Sequence, residues 1–232
     1  QLAGHVELIA KNTILSINNK NYSIDSLTGK GTWDKGVLTH NFSGIALGSS
    51  FSLNGKLPFS NLGKDSTSRI EWKNLALEKL PFEKGLAWSP AEGKTSGSLS
   101  LTGPLPNYKE TFPGRLNGEV NFQAEGLVLK SAKKSYLIKL GRLQGHGSFN
   151  QVQLQHEISG TVWGSEFNIK GKLPLNQKIP ILNSQISWKG LDIAQLPLPP
   201  TTGWSPSEGE LSGTLTIEGP APAEGKSFAG NL

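Results

Sequence analysis

The sequence of 232 residues repeats itself at an offset of 116. The stretch Ile70–Pro104, IEWKNLALEKLPFEKGLAWSPAEGKTSGSLSLTGP, aligns without a gap on Ile186–Pro220, ISWKGLDIAQLPLPPTTGWSPSEGELSGTLTIEGP, with 16 identities in 35 positions. The same offset carries LTGKGTWDKGVLTHNFSGIALGSSFSLNGKLPF, from Leu27, onto LQGHGSFNQVQLQHEISGTVWGSEFNIKGKLPL, from Leu143. LAGHVEL at Leu2–Leu8 matches LNGEVNF at Leu116–Phe122 at an offset of 114, which puts about two inserted residues near Gly141. FPGRL (Phe112–Leu116) returns as FAGNL (Phe228–Leu232). A period of this size marks a supersecondary unit that buries its apolar face against its neighbours. The chain therefore divides into a first unit, residues 1–113, and a second, 114–232, which ends entering a third. It starts and stops at one phase of the repeat and contains no Met, so we expect a slice of a longer array.

Each unit reads as β. Leu116, Val120 and Phe122 alternate with Arg115, Asn117, Glu119 and Asn121, and Val152, Leu154, His156 and Ile158 alternate with Gln153, Gln155 and Glu157. This two-residue period predicts half-buried strands, about six or seven per unit and ~6–12 residues long, separated by Gly, Pro, Asn or Ser. Only Leu75–Leu80 and Leu191–Leu196 suit a helical turn, and a Pro stops each. Since one strand face is polar throughout, helices do not cover both sides of the sheet. The expected fold is all-β: an elongated, curled antiparallel sheet, a taco-like groove or an open β-solenoid, built from two tandem repeats. The 28 Gly exceed the usual share of about 7%. Gly29/Gly145, Gly31/Gly147, Gly44/Gly160, Gly55/Gly171 and Gly97/Gly213 recur at equivalent places, where strands are expected to bend or turn.

Polar residues shared by both units offer little chemistry. With no Cys there is no disulfide, thiolate metal site or thiol nucleophile. His40 and His156 share the apolar parity of their strands, and no Asp, Glu or second His joins either on that face, so neither reads as a metal ligand. Glu92 and Glu208 lie in WSPxEG segments, Trp88–Gly93 and Trp204–Gly209, which read as turns with an aromatic plug and not as paired carboxylates for acid–base work. A GxSxG elbow, a Walker loop and a GxGxxG opening a helix are all missing, so no enzyme and no cofactor is expected. The net charge of +5 is spread along the chain. Its one basic cluster, Lys130, Lys133, Lys134, Lys139 and Arg142, carries a single aromatic, Tyr136, too few for a nucleic-acid surface. Apolar runs are far shorter than the ~18 residues that cross a bilayer as a helix.

The distinctive feature is the apolar face. Its members recur as Val6/Val120, Leu8/Phe122, Leu38/Leu154, Phe42/Ile158, Phe51/Phe167, Leu53/Ile169, Ile70/Ile186, Trp72/Trp188, Leu99/Leu215 and Leu101/Ile217. One reading is the closed core of a sandwich or solenoid. The other is an open groove whose lining shields acyl chains, at ~0.8 kcal/mol per buried CH₂.

At these residues the chain resembles the AsmA-like family of bacterial envelope proteins. The likeness lies in ISWKGLDIAQL (Ile186–Leu196), GELSGTLTIEGP (Gly209–Pro220) and FAGNL, with IEWKNLALEKL, GKTSGSLSLTGP and FPGRL as their first-unit partners. The resemblance implies a periplasmic, taco-shaped β-groove, anchored in the inner membrane by an N-terminal helix that these residues do not include. It further implies that phospholipid, or another acyl-chain lipid, is conducted between inner and outer membranes along the positions just named. Two alternatives stay open: a structural β-solenoid of adhesins or secretion machinery, similar to the type II secretion protein N family, and a jelly-roll module handling lipopolysaccharide.

Overall fold

The computed structural model describes residues 3–17, 20–59, 64–80, 88–104, 114–131, 137–175, 181–196 and 207–220. They form twelve strands: β1 (Gly4–Ile17), β2 (Lys20–Asp34), β3 (Val37–Ala46), β4 (Ser49–Pro58), β5 (Asp65–Ala76), β6 (Trp88–Pro104), β7 (Asn117–Ser131), β8 (Leu137–Phe149), β9 (Gln153–Val162), β10 (Ser165–Pro174), β11 (Ile181–Asp192) and β12 (Glu210–Pro220). All belong to one antiparallel sheet in which every strand pairs with its sequence neighbours, in the order β1 to β12. The sheet does not close: β1 pairs only with β2, and β12 only with β11. The expected all-β, antiparallel architecture is thus found as a single up-and-down meander of two six-strand units.

Strands run 10–17 residues, longer than the sequence pattern suggests. The reason is the glycines. Gly29 and Gly31 lie inside β2, Gly44 inside β3, Gly55 inside β4, Gly97 inside β6, Gly145 and Gly147 inside β8, Gly160 inside β9, Gly171 inside β10 and Gly213 inside β12, so none of these marks a turn. Trp88–Gly93 is corrected likewise: it opens β6 as strand, with the ladder slipping at Pro90, Glu92 and Lys94 and Gly93 at φ +130°. Its counterpart Trp204 lies outside the described residues. The tight hairpins instead fall at Lys35-Gly36, Leu47-Gly48 and Trp163-Gly164, where both residues take positive φ and match the strand twist. Single 3₁₀ turns stand where a Pro-stopped helical turn was expected, at Leu77–Lys79 and Ile193–Gln195.

The two units repeat in detail. β5 bulges between Trp72 and Leu75, and β11 between Trp188 and Leu191. Asn74 at φ +55° and Gly190 at φ +65° turn the bulge, and their backbone N–H groups donate to Ser96 Oγ and Ser212 Oγ at 2.9 Å. Ser49 and Ser165, both buried, donate to the carbonyls of Lys73 and Lys189 at 2.6 and 2.7 Å. The division at 113/114 falls between β6 and β7, which pair from Trp88↔Ser131 to Thr102↔Asn117 as fully as strands inside a unit.

No second layer covers the sheet among the described residues. Extensive contact runs only between successive strands, and between β6 and the turn at Leu77–Lys79. Buried apolar side chains are correspondingly few, with Leu116, Ala124 and Leu127 gathered at the junction of the units. No helix among the described residues is long and apolar enough to cross a membrane.

Candidate functional site: a one-sided apolar surface

Directly paired residues share a face, so the ladders sort the side chains. One row crosses the whole sheet as Leu8, Gly29, Phe42, Leu53, Ile70, Leu99, Val120, Gly147, His156, Gly171, Ser184 and Ile217. Its neighbour runs Ala10, Leu27, Gly44, Phe51, Trp72, Gly97, Phe122, Gly145, Ile158, Ile169, Ile186 and Leu215. Flanking them on the same face are Val6, Leu101 and Leu154 on one side and Phe167 with Trp188 on the other, while Leu38 pairs with Trp33 and Leu57. All twenty apolar positions singled out in the sequence therefore lie on one face.

The opposite face is predominantly polar, with Ile9 and Ile45 as exposed apolar exceptions. One row reads Glu7, Lys30, Asn41, Asn54, Arg69, Ser100, Glu119, Ser148, Gln155, Lys172, Asn183 and Glu218. Opposite charges meet across strands as Lys30–Glu7 at 3.0 Å and Lys170–Glu157 at 2.9 Å. The Lys170 ammonium, then the Asn168 amide, hold the Glu157 carboxyl below its ordinary range. Open troughs of about 660 and 600 Å³ lie on this face, between long side chains such as Arg69, Gln123, His146 and Glu157, and Lys170, Lys172, Asn183 and Glu218.

Glycine explains how the apolar face stays smooth. A Cβ on Gly97 would sit 2.6 Å from the Trp72 ring, one on Gly213 2.7 Å from the Trp188 ring, and one on Gly145 2.4 Å from the Phe122 ring. Each ring thus lies flat across the strand beside it, over a residue with no side chain. His40 and His156 do the same over Gly55 and Gly171, and His40 stacks on Phe42 with centroids 5.5 Å apart. His40 is buried in the apolar surface, and burial lowers its pKa. Its Nδ1, with Trp72 Nε1 and Trp188 Nε1, is buried without a partner, so these polar atoms lie beneath the surface and do not break it.

The strip also slants. Following the ladder from Leu8 leads to Val120, whereas the repeat partner of Leu8 is Phe122; following it from Leu99 leads to Ile217, not to its partner Leu215. Each unit is therefore displaced by two residues, about 7 Å, along the strands for every ~29 Å across them.

Pattern reading missed Leu27/Leu143 and Trp33/Phe149, which also belong to this face. They alternate with Gly29, Gly31, Gly145 and Gly147, so an all-apolar count breaks where glycine stands. Their recurrence at offset 116 was the available signal. Of the basic cluster, Lys133, Lys134 and Tyr136 lie outside the described residues. No group of three or more His, Cys, Asp or Glu that suits a metal occurs among the described residues.

Fold and surface together define a class: an open antiparallel β-meander with one apolar and one polar face. Comparison with protein-family models, with curated proteins and with solved structures finds no match for this chain.

Proposed function

We propose that this chain is a segment of an AsmA-like β-groove in the periplasm, which binds acyl chains on its apolar face and conducts phospholipid between inner and outer membranes. The observation that carries the reading is an apolar surface continuous across twelve strands with no second layer over it among the described residues. Twelve strands at ~4.8 Å and three rows at ~7 Å give a strip on the order of 1,000 Å². That exceeds the ~300–600 Å² patch an ordinary monomer exposes. Hydrocarbon is a fitting cover, because the strip presents mainly dispersion contact and desolvation, with few polar groups such as His156 and Ser184 among its apolar side chains. An acyl chain gains ~0.8 kcal/mol per CH₂ wherever it lies. Neighbouring positions offer nearly equal contacts, so a chain slides without a deep minimum, while the headgroup stays in water beyond the strand ends.

The test uses vesicles of phosphatidylglycerol with brominated acyl chains, which quench indoles on contact. Tryptophan fluorescence of the purified chain is expected to fall with brominated but not with unbrominated lipid. Replacing Trp33, Trp72 and Trp188, the tryptophans placed on this face, by Phe is expected to remove most of the effect. Equal fluorescence in the two lipids, or quenching untouched by the triple replacement, overturns the reading.

A further inference from the structure

We propose that each unit carries one polar station in its apolar face, His40–Gly55–Ser68 in the first and His156–Gly171–Ser184 in the second, which receives the ester carbonyl groups of a bound acyl lipid. The inference rests on the reading of the apolar face as a surface for acyl chains, and adds where along it a lipid meets directional bonds.

The members of each trio are direct partners on successive strands: His40 on β3, Gly55 on β4 and Ser68 on β5, then His156 on β9, Gly171 on β10 and Ser184 on β11. The two trios stand at the repeat offset of 116. Indoles apart, they hold the only polar side chains in the rows that run from Val6 to Leu154, from Leu8 to Ile217 and from Ala10 to Leu215. Buried hydroxyls elsewhere serve the fold. Ser49, Ser66, Thr95 and Ser165 donate to the carbonyls of Lys73, Gly103, Gln123 and Lys189 at 2.6, 2.7, 3.0 and 2.7 Å. Ser68, Ser184 and His156, in contrast, make no hydrogen bond among the described residues, and His40 Nδ1 is buried without a partner. An apolar setting penalises unpaired polar groups, and native proteins pair nearly all of them. Here the same groups go unpaired at the same place in both units, which points to a partner from outside the chain.

The glycine makes the room. His156 Nε2 lies 2.8 Å, and Ser184 Oγ 2.3 Å, from the point where a Cβ on Gly171 would stand, so imidazole and hydroxyl converge above that residue. Over Gly55 the His40 Cε1 takes the same place at 3.0 Å. Burial favours the neutral form of His40, and a neutral imidazole and a serine hydroxyl each offer one donor. A charged headgroup would have to shed its water to enter the strip, and those three rows hold no Lys, Arg, Asp or Glu to pair with it. The acyl tails themselves hold no acceptor. Ester carbonyls are the neutral acceptors of a diacyl lipid and are bonded directly to its chains, so they can lie on the strip while the headgroup stays in water.

The test compares dihexanoyl phosphatidylglycerol with its dihexyl ether analogue, which differ only in the two carbonyls, both as monomers in solution. Titrated into the purified chain and followed by tryptophan fluorescence, the ester lipid is expected to bind about tenfold more tightly than the ether lipid. Replacing Ser68 and Ser184 by Ala should lower that ratio to about threefold, and adding His40→Phe and His156→Phe should bring it to about one. Infrared spectra of lipid isotope-labelled at the carbonyl should show its stretching band at lower frequency when bound to the parent chain. Equal affinities in the parent, or a ratio untouched by the serine replacements, overturns this proposal and leaves the reading of the apolar face standing. Binding of neither lipid overturns both. The serine variant, whose lost hydroxyls hold no bond in the fold, decides the matter even if the four-residue variant does not fold.

Discussion

Replacing Gly97 by Ala separates a structural account of the glycines from one based on propensity. Glycine weakens a strand interior, and Gly→Ala at an unstrained site stabilises by about 0.4–1 kcal/mol through the unfolded chain. Gly97 is not such a site. A Cβ there would lie 2.3 Å from the Asn121 carbonyl oxygen, 2.6 Å from Trp72 Cζ2 and 3.0 Å from Phe122 Cα. Two of those neighbours are backbone of β7, so relief requires either separating the β6–β7 ladder or lifting the indole off the strand. Overpacking of this kind costs about 1–3 kcal/mol, and the loss of ring contact adds to it. The net expectation is destabilisation by about 2 kcal/mol, opposite in sign to the propensity argument. Urea unfolding followed by far-ultraviolet circular dichroism measures it. Gly147→Ala is the control, since its nearest neighbour is a side-chain methyl, that of Val120 at 3.0 Å, which need give by only a few tenths of an ångström, and the nearest backbone atom is the Gln155 carbonyl oxygen at 3.4 Å. We expect less than about 1 kcal/mol there. A Gly97→Ala chain as stable as the parent, or more so, refutes the role assigned to the ring-over-glycine pairs.

Further expectations concern single polar groups. Ser165→Ala strands the Lys189 carbonyl, which now accepts at 2.7 Å, and should cost about 1–3 kcal/mol in urea unfolding, as should Ser49→Ala at its repeat partner. Burial holds the His40 imidazole below its ordinary value of 6.5, so the unfolded chain takes up the proton first as pH falls. Stability should thus be level above that pH and decline below it until the folded-state value is reached, and His40→Asn should remove this part of the slope in urea titrations between pH 7.5 and 5.5. Lys170→Ala breaks an exposed, solvent-screened ion pair with Glu157 and should leave the urea midpoint essentially unchanged.

Much of this architecture is written in two periods. The period of two in Val120 and Phe122 set against Asn117, Glu119 and Asn121 marks strands with one apolar face, and the ladders place these residues on the sides it implies. The period of 116 identifies equivalent positions, including the paired bulges at Asn74 and Gly190. What stayed hidden is what depends on a neighbour across the sheet. Gly97 and Gly145 read as interruptions because the rings that lie over them, Trp72 and Phe122, come from adjacent strands. Trp88-Ser89-Pro90 looks like a turn locally, yet pairing with Ser131, Lys130 and Leu129 keeps it extended. The slant of the strip is invisible for a related reason. It arises from bulges and hairpin registers accumulated over six strands, and no single segment records it.

The central claim, that one face of an open sheet receives hydrocarbon, is tested most directly along β6. A photoreactive residue placed in turn at Ser98, Leu99, Ser100 and Leu101, in chain loaded with phospholipid, should give lipid adducts at Leu99 and Leu101 and not at Ser98 and Ser100. Labelling without that alternation, or adducts on the serine side alone, would contradict the account.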